Sequence, residues 1–257
     1  MYLGCSSESY SQALGAGRLT LTDFIGICGE QLGLQAVELE DAHIGEPTPA
    51  RLGELRAAAE RHRVEIVNIA LMNNFGVADD AKRRTEEART AQWMTASREL
   101  RTRFLRTFAG WPEGERAARW PAMLDALRAV ATAAEKAQVQ LVMENHNHGG
   151  FVQTADDVLA IFDAVSSPAL ALLLDTGNYL DGLASIRRTA RLARHVHAKF
   201  RQVGADGRDR LVDHEAVIAE LRQVGYQGCL SVEYEGEEPA ETAVPRAVAY
   251  LRRVLPG

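Results

Sequence analysis

Residues of the types that bind metals stand at the ends of four apolar segments in the second half of the chain. They are Glu144 after Leu141–Met143, Asp175 after Ala169–Leu174, His195 and His197 within HVHAKF, and Glu233 within LSVEY. Three carboxylates brought together would repel each other and be costly to bury, and a divalent cation would remove both problems. Carboxylate oxygens with an imidazole nitrogen suit Mn²⁺, Mg²⁺ or Co²⁺ and admit Zn²⁺. We therefore expect a divalent metal ion as cofactor, with Mn²⁺ as the first candidate.

Four protein ligands would leave coordination positions for two substrate oxygens. A vicinal hydroxy-ketone would chelate the metal ion at these positions, and the ion would polarise the carbonyl group of that substrate. Each residue alone has an ordinary structural interpretation, since strand-end carboxylates are often solvated and a histidine in an apolar strand is often a hydrogen-bonded core residue. The coincidence of four such strand ends favours a metal or catalytic site.

Eight apolar segments alternate with helical patterns along the chain. The expected strands are Leu3–Cys5, Leu34–Leu39, Val64–Leu71, Phe104–Phe108, Leu141–Glu144, Ala169–Leu174, His195–Phe200 and Leu230–Tyr234. Eight parallel strands joined by helical crossovers close into a (β/α)8 TIM barrel, and 257 residues suit one such domain. We predict an α/β protein with a single TIM-barrel domain over residues 1–257. The alternative, an open doubly wound sheet, would place GxGxxG after the first strand, where the sequence lacks it.

Helix-start signals precede several of the intervening segments. Thr20 or Thr22, Thr48-Pro49, and Thr154 with Asp157 predict the first residues of three helices. The segments Ser6–Gly17 and Met72–Asp80 come after strand ends, and we expect loops there that shape specificity.

The barrel would bring the metal-ligand residues together. The carboxyl ends of all its strands converge on one face, where catalytic residues of such barrels lie. Within the seventh strand, the period of two predicts that His195, His197 and Lys199 point into the barrel.

Composition excludes several classes of partner. The net charge of −6 argues against a nucleic-acid surface, which needs a concentrated basic face. No apolar run approaches the roughly 18–20 residues of a membrane span, and the amino terminus lacks the pattern of a signal peptide. Three widely spaced cysteines imply no disulfide framework, so we expect a cytoplasmic protein. We also expect its substrate to be a small molecule. The sequence leaves a homo-oligomer open.

The motifs MENHNHGG, LLLDTGN, HVHAKF and LSVEYEG, in this order and spacing, resemble the xylose-isomerase-like TIM-barrel superfamily. The sugar-phosphate isomerase/epimerase branch is the most similar, and VELED and FLRTFAG fit as well. The resemblance implies the metal ligands Glu144, Asp175, His197 and Glu233. It also implies that Glu144 and Glu233 are an acid/base pair, which would act on the substrate through a metal-stabilised enediolate.

Three positions depart from the ketohexose 3-epimerases of that superfamily. Gly150, Asn178 and Val203 stand where those enzymes carry Glu, His and Arg, which puts epimerisation of a free ketohexose in doubt. The extra histidines of the related endonuclease IV are not evident either.

Further residues are candidates for substrate contact. His146 would meet a hydroxyl or orient the metal ligands, Lys199 would hold an oxyanion or carboxylate, and Arg106 would meet a phosphate or acid group. The remaining candidates are Asn178 on the sixth strand end, Glu38 as a ligand-supporting or substrate-contacting residue, and Trp111 as an apolar wall for a sugar face.

Three functions remain open from the sequence. The first is a metal-dependent isomerase or epimerase acting on a sugar, sugar phosphate or keto-polyol. The second is a lyase or dehydratase, in which the same site abstracts a proton and a β-oxygen substituent is lost. The third is a barrel that binds a ligand without catalysis.

Overall fold

Eight parallel strands close into a barrel in the computed structural model of the chain, which describes residues 1–146 and 148–255. Each strand pairs with its neighbour in sequence, and β8 pairs with β1. The strands are β1 Tyr2–Ser6, β2 Ala36–Glu40, β3 Glu65–Ala70, β4 Phe104–Thr107, β5 Gln140–Glu144, β6 Leu170–Asp175, β7 Ala193–Phe200 and β8 Cys229–Tyr234. The predicted (β/α)8 barrel is confirmed, and the open sheet is excluded. Asn147, within the motif MENHNHGG, and residues 256 and 257 of the expected domain lie outside the described residues.

Helices surround the barrel. They are α1 Ser11–Gly15, α2 Leu21–Gly26, α3 Asp41–Ile44, α4 Pro49–His62, α5 Asp80–Leu100, α6 Arg116–Ala137, α7 Ala155–Val165, α8 Leu183–Thr189, α9 His214–Gln223 and α10 Ala240–Val254. Short 3-10 turns cover Ser7–Tyr10 and Ala190–Leu192, and a π-helical turn, Ile27–Gln31, comes directly after α2. None of the helices in the described part of the chain is long and apolar enough to cross a membrane.

The expected helix starts are confirmed by side-chain caps. Thr20 and Asp23 form a capping box at α2, and Thr154 and Asp157 form one at α7. Thr48 accepts a hydrogen bond from Arg51 N at the start of α4, whose first residue is Pro49. These caps satisfy backbone N–H groups that have no partner inside the helix.

The expectation of a loop at Ser6–Gly17 was wrong. This segment contains a 3-10 turn and α1, and the Ser6 hydroxyl accepts a hydrogen bond from Glu8 N at the start of the turn. A serine can cap a short helical turn as readily as it favours an irregular loop, so composition alone did not distinguish the two.

The barrel interior changes from apolar to charged along the strands. Two small apolar clusters, one of Ala36, Val67 and Cys229 and the other of Val142, Ala171 and Leu173, pack near Phe104. Because side chains two apart share a face, the next inward positions on these strands are charged or polar. They are Glu38 and Glu40 on β2, Glu144 on β5, Asp175 on β6, and Ser231 and Glu233 on β8, all buried. The apolar layer therefore closes the bottom of the barrel and leaves a polar hollow at its carboxyl end.

Candidate metal centre

Four of the predicted ligands meet in this polar hollow. Glu144, Asp175, His197 and Glu233 each offer one ligand atom, and these atoms all lie within 4.8 Å of one another. All four side chains are buried. The register aligns them, because Asp175 pairs with His197 across β6 and β7, and His197 pairs with Ser231, two residues before Glu233.

The imidazole of His197 lies at the centre of the group. Its Nδ1 is 3.2 Å from Glu233 Oε2, 3.7 Å from Asp175 Oδ2 and 3.8 Å from Glu144 Oε2. His197 Nδ1, Asp175 Oδ2 and Glu233 Oε2 are buried without a hydrogen-bond partner among the described residues. Buried polar atoms are rarely left unpaired, and three that face one another fit a divalent cation held between them.

Glu38 fixes the orientation of His197 from the opposite side. Its Oε1 lies 2.7 Å from His197 Nε2 and its Oε2 lies 2.5 Å from His195 Nε2, while Asn68 donates a third hydrogen bond of 3.0 Å. Burial opposes ionisation of Glu38, but the facing imidazoles of His197 and His195 hold its pKa well below the ordinary value. Burial lowers the pKa of His197, but Glu233 and Glu38 raise it well above the ordinary value. A bound cation would replace the proton on Nδ1, while Glu38 keeps the other proton on Nε2.

Arg106 is enclosed between two carboxylates. Its guanidinium lies 2.8 Å from Glu40 Oε2 and 3.1 Å from Glu144 Oε2, and it stacks over the ring of Phe108 at 4.6 Å. Burial raises the pKa of Glu144, but Arg106, His146 and His197 together outweigh it, so the net pKa is lowered. These contacts indicate that Arg106 orients Glu144. They do not favour the anion-binding role that was expected from the sequence.

Lys199 lies on the other side of the group. Its ammonium is 3.2 Å from Asp175 Oδ2, contacts Glu233, and donates a hydrogen bond of 2.7 Å to Glu235. Burial disfavours the charged form of Glu233, but His197 and Lys199 lower its pKa well below the ordinary value. Both proposed acid/base carboxylates are therefore ionised in the folded protein.

Polar and aromatic side chains border the group toward the mouth of the barrel. Asn178 Nδ2 lies 3.3 Å from both Glu144 Oε1 and His146 Nδ1. The imidazole of His146 packs edge-on against Trp111 at 5.2 Å and against Phe108 at 5.3 Å. His146, Asn178 and Trp111 thus lie together beside Glu144, as expected of residues around a substrate.

Three residues near the site were missed by the sequence analysis. They are Glu40, which pairs with Arg106, Glu235, which accepts from Lys199, and Arg201, which donates to Asn178 at 3.1 Å. The signal for Glu40 and Arg201 was present. Glu40 shares the inward face of Glu38, and Arg201 continues the alternation of His197 and Lys199. No pattern in the sequence indicated Glu235.

The chain matches a known protein family. A family model described as a xylose isomerase-like TIM barrel matches residues 29–254. No curated protein matches the sequence.

Three solved structures share the fold. D-psicose 3-epimerase, solved in the presence of D-fructose, is 19% identical over 100% of both chains with a TM-score of 0.81. The 3-keto-D-glucoside 4-epimerase of E. coli is 16% identical, covering 91% of this chain and 94% of that chain, with a TM-score of 0.75. A probable 3-DHS dehydratase involved in petrobactin synthesis from Bacillus anthracis is 17% identical over 100% of this chain and 99% of that chain, with a TM-score of 0.73. At these identities the likeness shows a common fold, which hosts more than one reaction.

Proposed function

Because this chain belongs to the xylose isomerase-like TIM barrel family, we propose that it is a metal-dependent isomerase or epimerase of a sugar, sugar phosphate or keto-polyol. One observation carries the proposal. Two glutamates, an aspartate and an imidazole converge within 4.8 Å, and three of their ligand atoms make no hydrogen bond to the described residues. Lys199 contacts Asp175 and Glu233 but gives none of the three atoms a hydrogen bond, whereas a divalent cation would bind all four side chains at once.

Glu144, Asp175, His197 and Glu233 would hold the ion. A divalent cation bound there would polarise a substrate carbonyl and stabilise negative charge on its oxygens. Oxygen-rich ligation favours Mn²⁺ over a structural zinc site. The free, buried cysteines suit a reducing compartment, and we place the protein in the cytoplasm on that ground.

Glu144 and Glu233 would act as the acid/base pair. One, in its ionised form, takes the proton from the carbon next to the carbonyl. The other first takes up a proton from solvent and returns it to the neighbouring carbon or to the opposite face, and the first then releases its proton to solvent. Different side chains hold the two carboxylates in position. Arg106 and Asn178 contact Glu144, while Lys199 contacts Glu233. A carboxylate fixed in a dry pocket is pre-oriented and a stronger base than one in water.

The surrounding residues would bind the substrate. His146 and Asn178 offer hydrogen bonds beside Glu144, and the half-buried Trp111 offers a flat apolar wall for the carbon face of a sugar. Lys199, near Glu233, would stabilise an oxyanion, and Glu38 would support His197 without touching the substrate.

The alternative outcome is a lyase. The same carboxylates would abstract the proton, and a β-oxygen substituent would then leave. One solved structure of this fold is described as a probable dehydratase, and we therefore retain the lyase as the second candidate. The two candidates share proton abstraction and differ only in the fate of the enediolate.

Solvent isotope exchange tests the proposal. The protein is loaded with Mn²⁺ and incubated in D₂O with a panel of keto-sugars, their phosphate esters and keto-polyols. We expect one deuterium next to the carbonyl of a substrate, accompanied by a new stereoisomer or carbonyl isomer, and loss of both after treatment with a chelator. An enone-like absorbance with loss of water would identify the lyase, and turnover that is unaffected by the chelator would overturn the metal assignment.

A further inference from the structure

The inward-facing series on β7 continues beyond the end of the strand. His195, His197 and Lys199 alternate along β7, and Arg201 stands two positions later, just past Phe200. Two residues of strand advance by about 6.6 Å. Arg201 therefore lies one step above Lys199, toward the mouth of the barrel.

Arg201 differs from the other two cations of the site in its access to solvent. Arg106 is 3% exposed and is enclosed by Glu40 and Glu144, and Lys199 is 2% exposed among three carboxylates. The side chain of Arg201 is 26% exposed, and its carboxylate contact, Glu235, lies at 3.4 Å. Arg201 can therefore offer N–H groups to a ligand that enters from solvent.

Arg201 is also connected to the proposed catalytic carboxylate. Its Nη2 donates to Asn178 Oδ1 at 3.1 Å, and Asn178 Nδ2 donates to Glu144 Oε1 at 3.3 Å. The absence of a side chain at Gly177 permits this arrangement, since a Cβ there would lie 2.6 Å from Lys199 Cγ and 3.4 Å from Arg201 Nη1.

A cavity opens at Arg201. It has a volume of about 560 Å³, and its lining includes Arg201 and Arg210 together with three glutamates, Glu235, Glu237 and Glu238. This volume is in the range of small-molecule sites. None of the four proposed ligands lines this cavity, which is connected to the metal group through Glu235 and its contact with Lys199.

We propose that Arg201 binds an anionic group, a carboxylate or a phosphate, at the end of the substrate that is distal from the metal-chelating oxygens. The inference rests on the proposed function, because it assumes that the substrate's hydroxy-ketone end lies at the metal group. A guanidinium matches both anions through paired N–H donors. Glu235 can yield its long contact with Arg201, because its Oε1 keeps the 2.7 Å hydrogen bond from Lys199.

Kinetics of Arg201→Met and Arg201→Lys, measured on the Mn²⁺-loaded protein, test this assignment. The substrates are a keto-sugar, its terminal phosphate ester and its terminal carboxylate analogue, and the preferred charged form identifies the anion. For that form we expect Arg201→Met to raise KM about 10- to 100-fold, with kcat within about twofold and partial rescue in Arg201→Lys. Arg208→Met is the matched control, since Arg208 is paired with Glu215 on the surface, and it should leave KM unchanged.

Two outcomes would overturn the assignment. In the first, the uncharged keto-sugar is the best substrate and its KM does not change in Arg201→Met. In the second, Arg201→Met and Arg208→Met have the same KM for the charged substrates. If no substrate exchanges deuterium, the proposed function fails. Anion binding by Arg201 is then measured by titration calorimetry with malonate and with inorganic phosphate. Saturable binding that is lost in Arg201→Met and kept in Arg208→Met supports an anion site, and equal binding in both variants refutes it.

Discussion

The two proposed catalytic glutamates carry the same group in different surroundings. Glu144 is held by the guanidinium of Arg106 and the amide of Asn178, and Glu233 by the imidazole of His197 and the ammonium of Lys199. In both cases the pKa is lowered despite burial, because the nearby cations outweigh desolvation. Both groups are therefore in the basic form that proton abstraction requires.

Replacing either glutamate by glutamine should remove the base while nearly preserving its shape. We expect Glu144→Gln and Glu233→Gln to lower kcat by about 10²- to 10⁴-fold, more than either raises KM. Metal content measured on the same preparations separates lost chemistry from lost metal. Glu54→Gln, in a surface ion pair with Arg51, is the control. Full activity in either site variant would remove that residue from the acid/base pair.

The two histidines of β7 should affect metal binding unequally. His197 directs Nδ1 at three carboxylates, whereas His195 contacts Glu38 and reaches the group only through it. We expect His195→Ala to weaken Mn²⁺ binding by roughly 10-fold and His197→Ala by at least roughly 100-fold. Mn²⁺ titration monitored by electron paramagnetic resonance would measure both. Equal losses would mean that His195 is a ligand as well.

At the scale of elements, β6 and β7 must pass close to each other at Gly177. A methyl group there would lie 2.6 Å from Lys199 Cγ, whereas Gly53, inside α4, has nothing within 4 Å of its position. We expect Gly177→Ala to reduce the free energy of unfolding by about 1–3 kcal/mol through overpacking. Gly53→Ala should raise it by about 0.5–1 kcal/mol. Urea unfolding of both variants measures the contrast, and a neutral Gly177→Ala would show that Lys199 can move aside.

The first residue of α9 predicts a dependence of stability on pH. His214 stacks on Phe200 at 4.2 Å, and both ring nitrogens lack a hydrogen-bond partner among residues 1–146 and 148–255. Burial lowers its pKa to about 4, while an unfolded histidine has a pKa of about 6.5. Between these values the unfolded chain binds more protons, so the free energy of unfolding falls as pH decreases.

The loss attributable to His214 should reach roughly 3 kcal/mol when pH has fallen from 6.5 to 4. His214→Phe keeps the ring and removes the titration, so its stability should fall less over this interval. Denaturant unfolding at intervals of half a pH unit compares the two proteins. Parallel curves would show that His214 is solvated or protonated in the folded state.

At the scale of the whole molecule, the barrel encloses more acidic side chains than basic ones, and burial raises the pKa of two of them, Glu40 and Asp175. Glu38, Glu40, Glu144, Asp175 and Glu233 are buried in the hollow, against Arg106, Lys199 and the imidazoles of β7. Such an excess is costly to desolvate, and a divalent cation would compensate it. Since the ligands come from four strands, binding would tie the second half of the barrel together.

Metal binding should therefore stabilise the fold. At 100 times its dissociation constant, Mn²⁺ would add about 2.7 kcal/mol, which corresponds to a Tm increase of roughly 5–10 °C for a chain of this size. Calorimetry with and without a chelator measures the shift, and His197→Ala should abolish most of it. An unchanged Tm would argue against a cation held by these four residues.

The sequence by itself determined the barrel and the convergence of its strand ends. Alternating apolar segments and helix caps are local signals, and the closure of eight parallel strands then forces Glu144, Asp175, His197 and Glu233 toward one face. The period of two along β7 likewise predicted that His195, His197 and Lys199 share the interior.

Only the tertiary structure decided which side chains contact each other. The enclosure of Arg106 by Glu40 and Glu144 and the bridging of both β7 histidines by Glu38 depend on strand register and on the length of each side chain. The helical start of the segment after β1 and the position of Arg201 at the mouth depend on it as well. Local periodicity fixes the face on which a residue lies, whereas ion pairs and cavities arise between strands distant in sequence, whose relative placement is set by packing of the whole barrel.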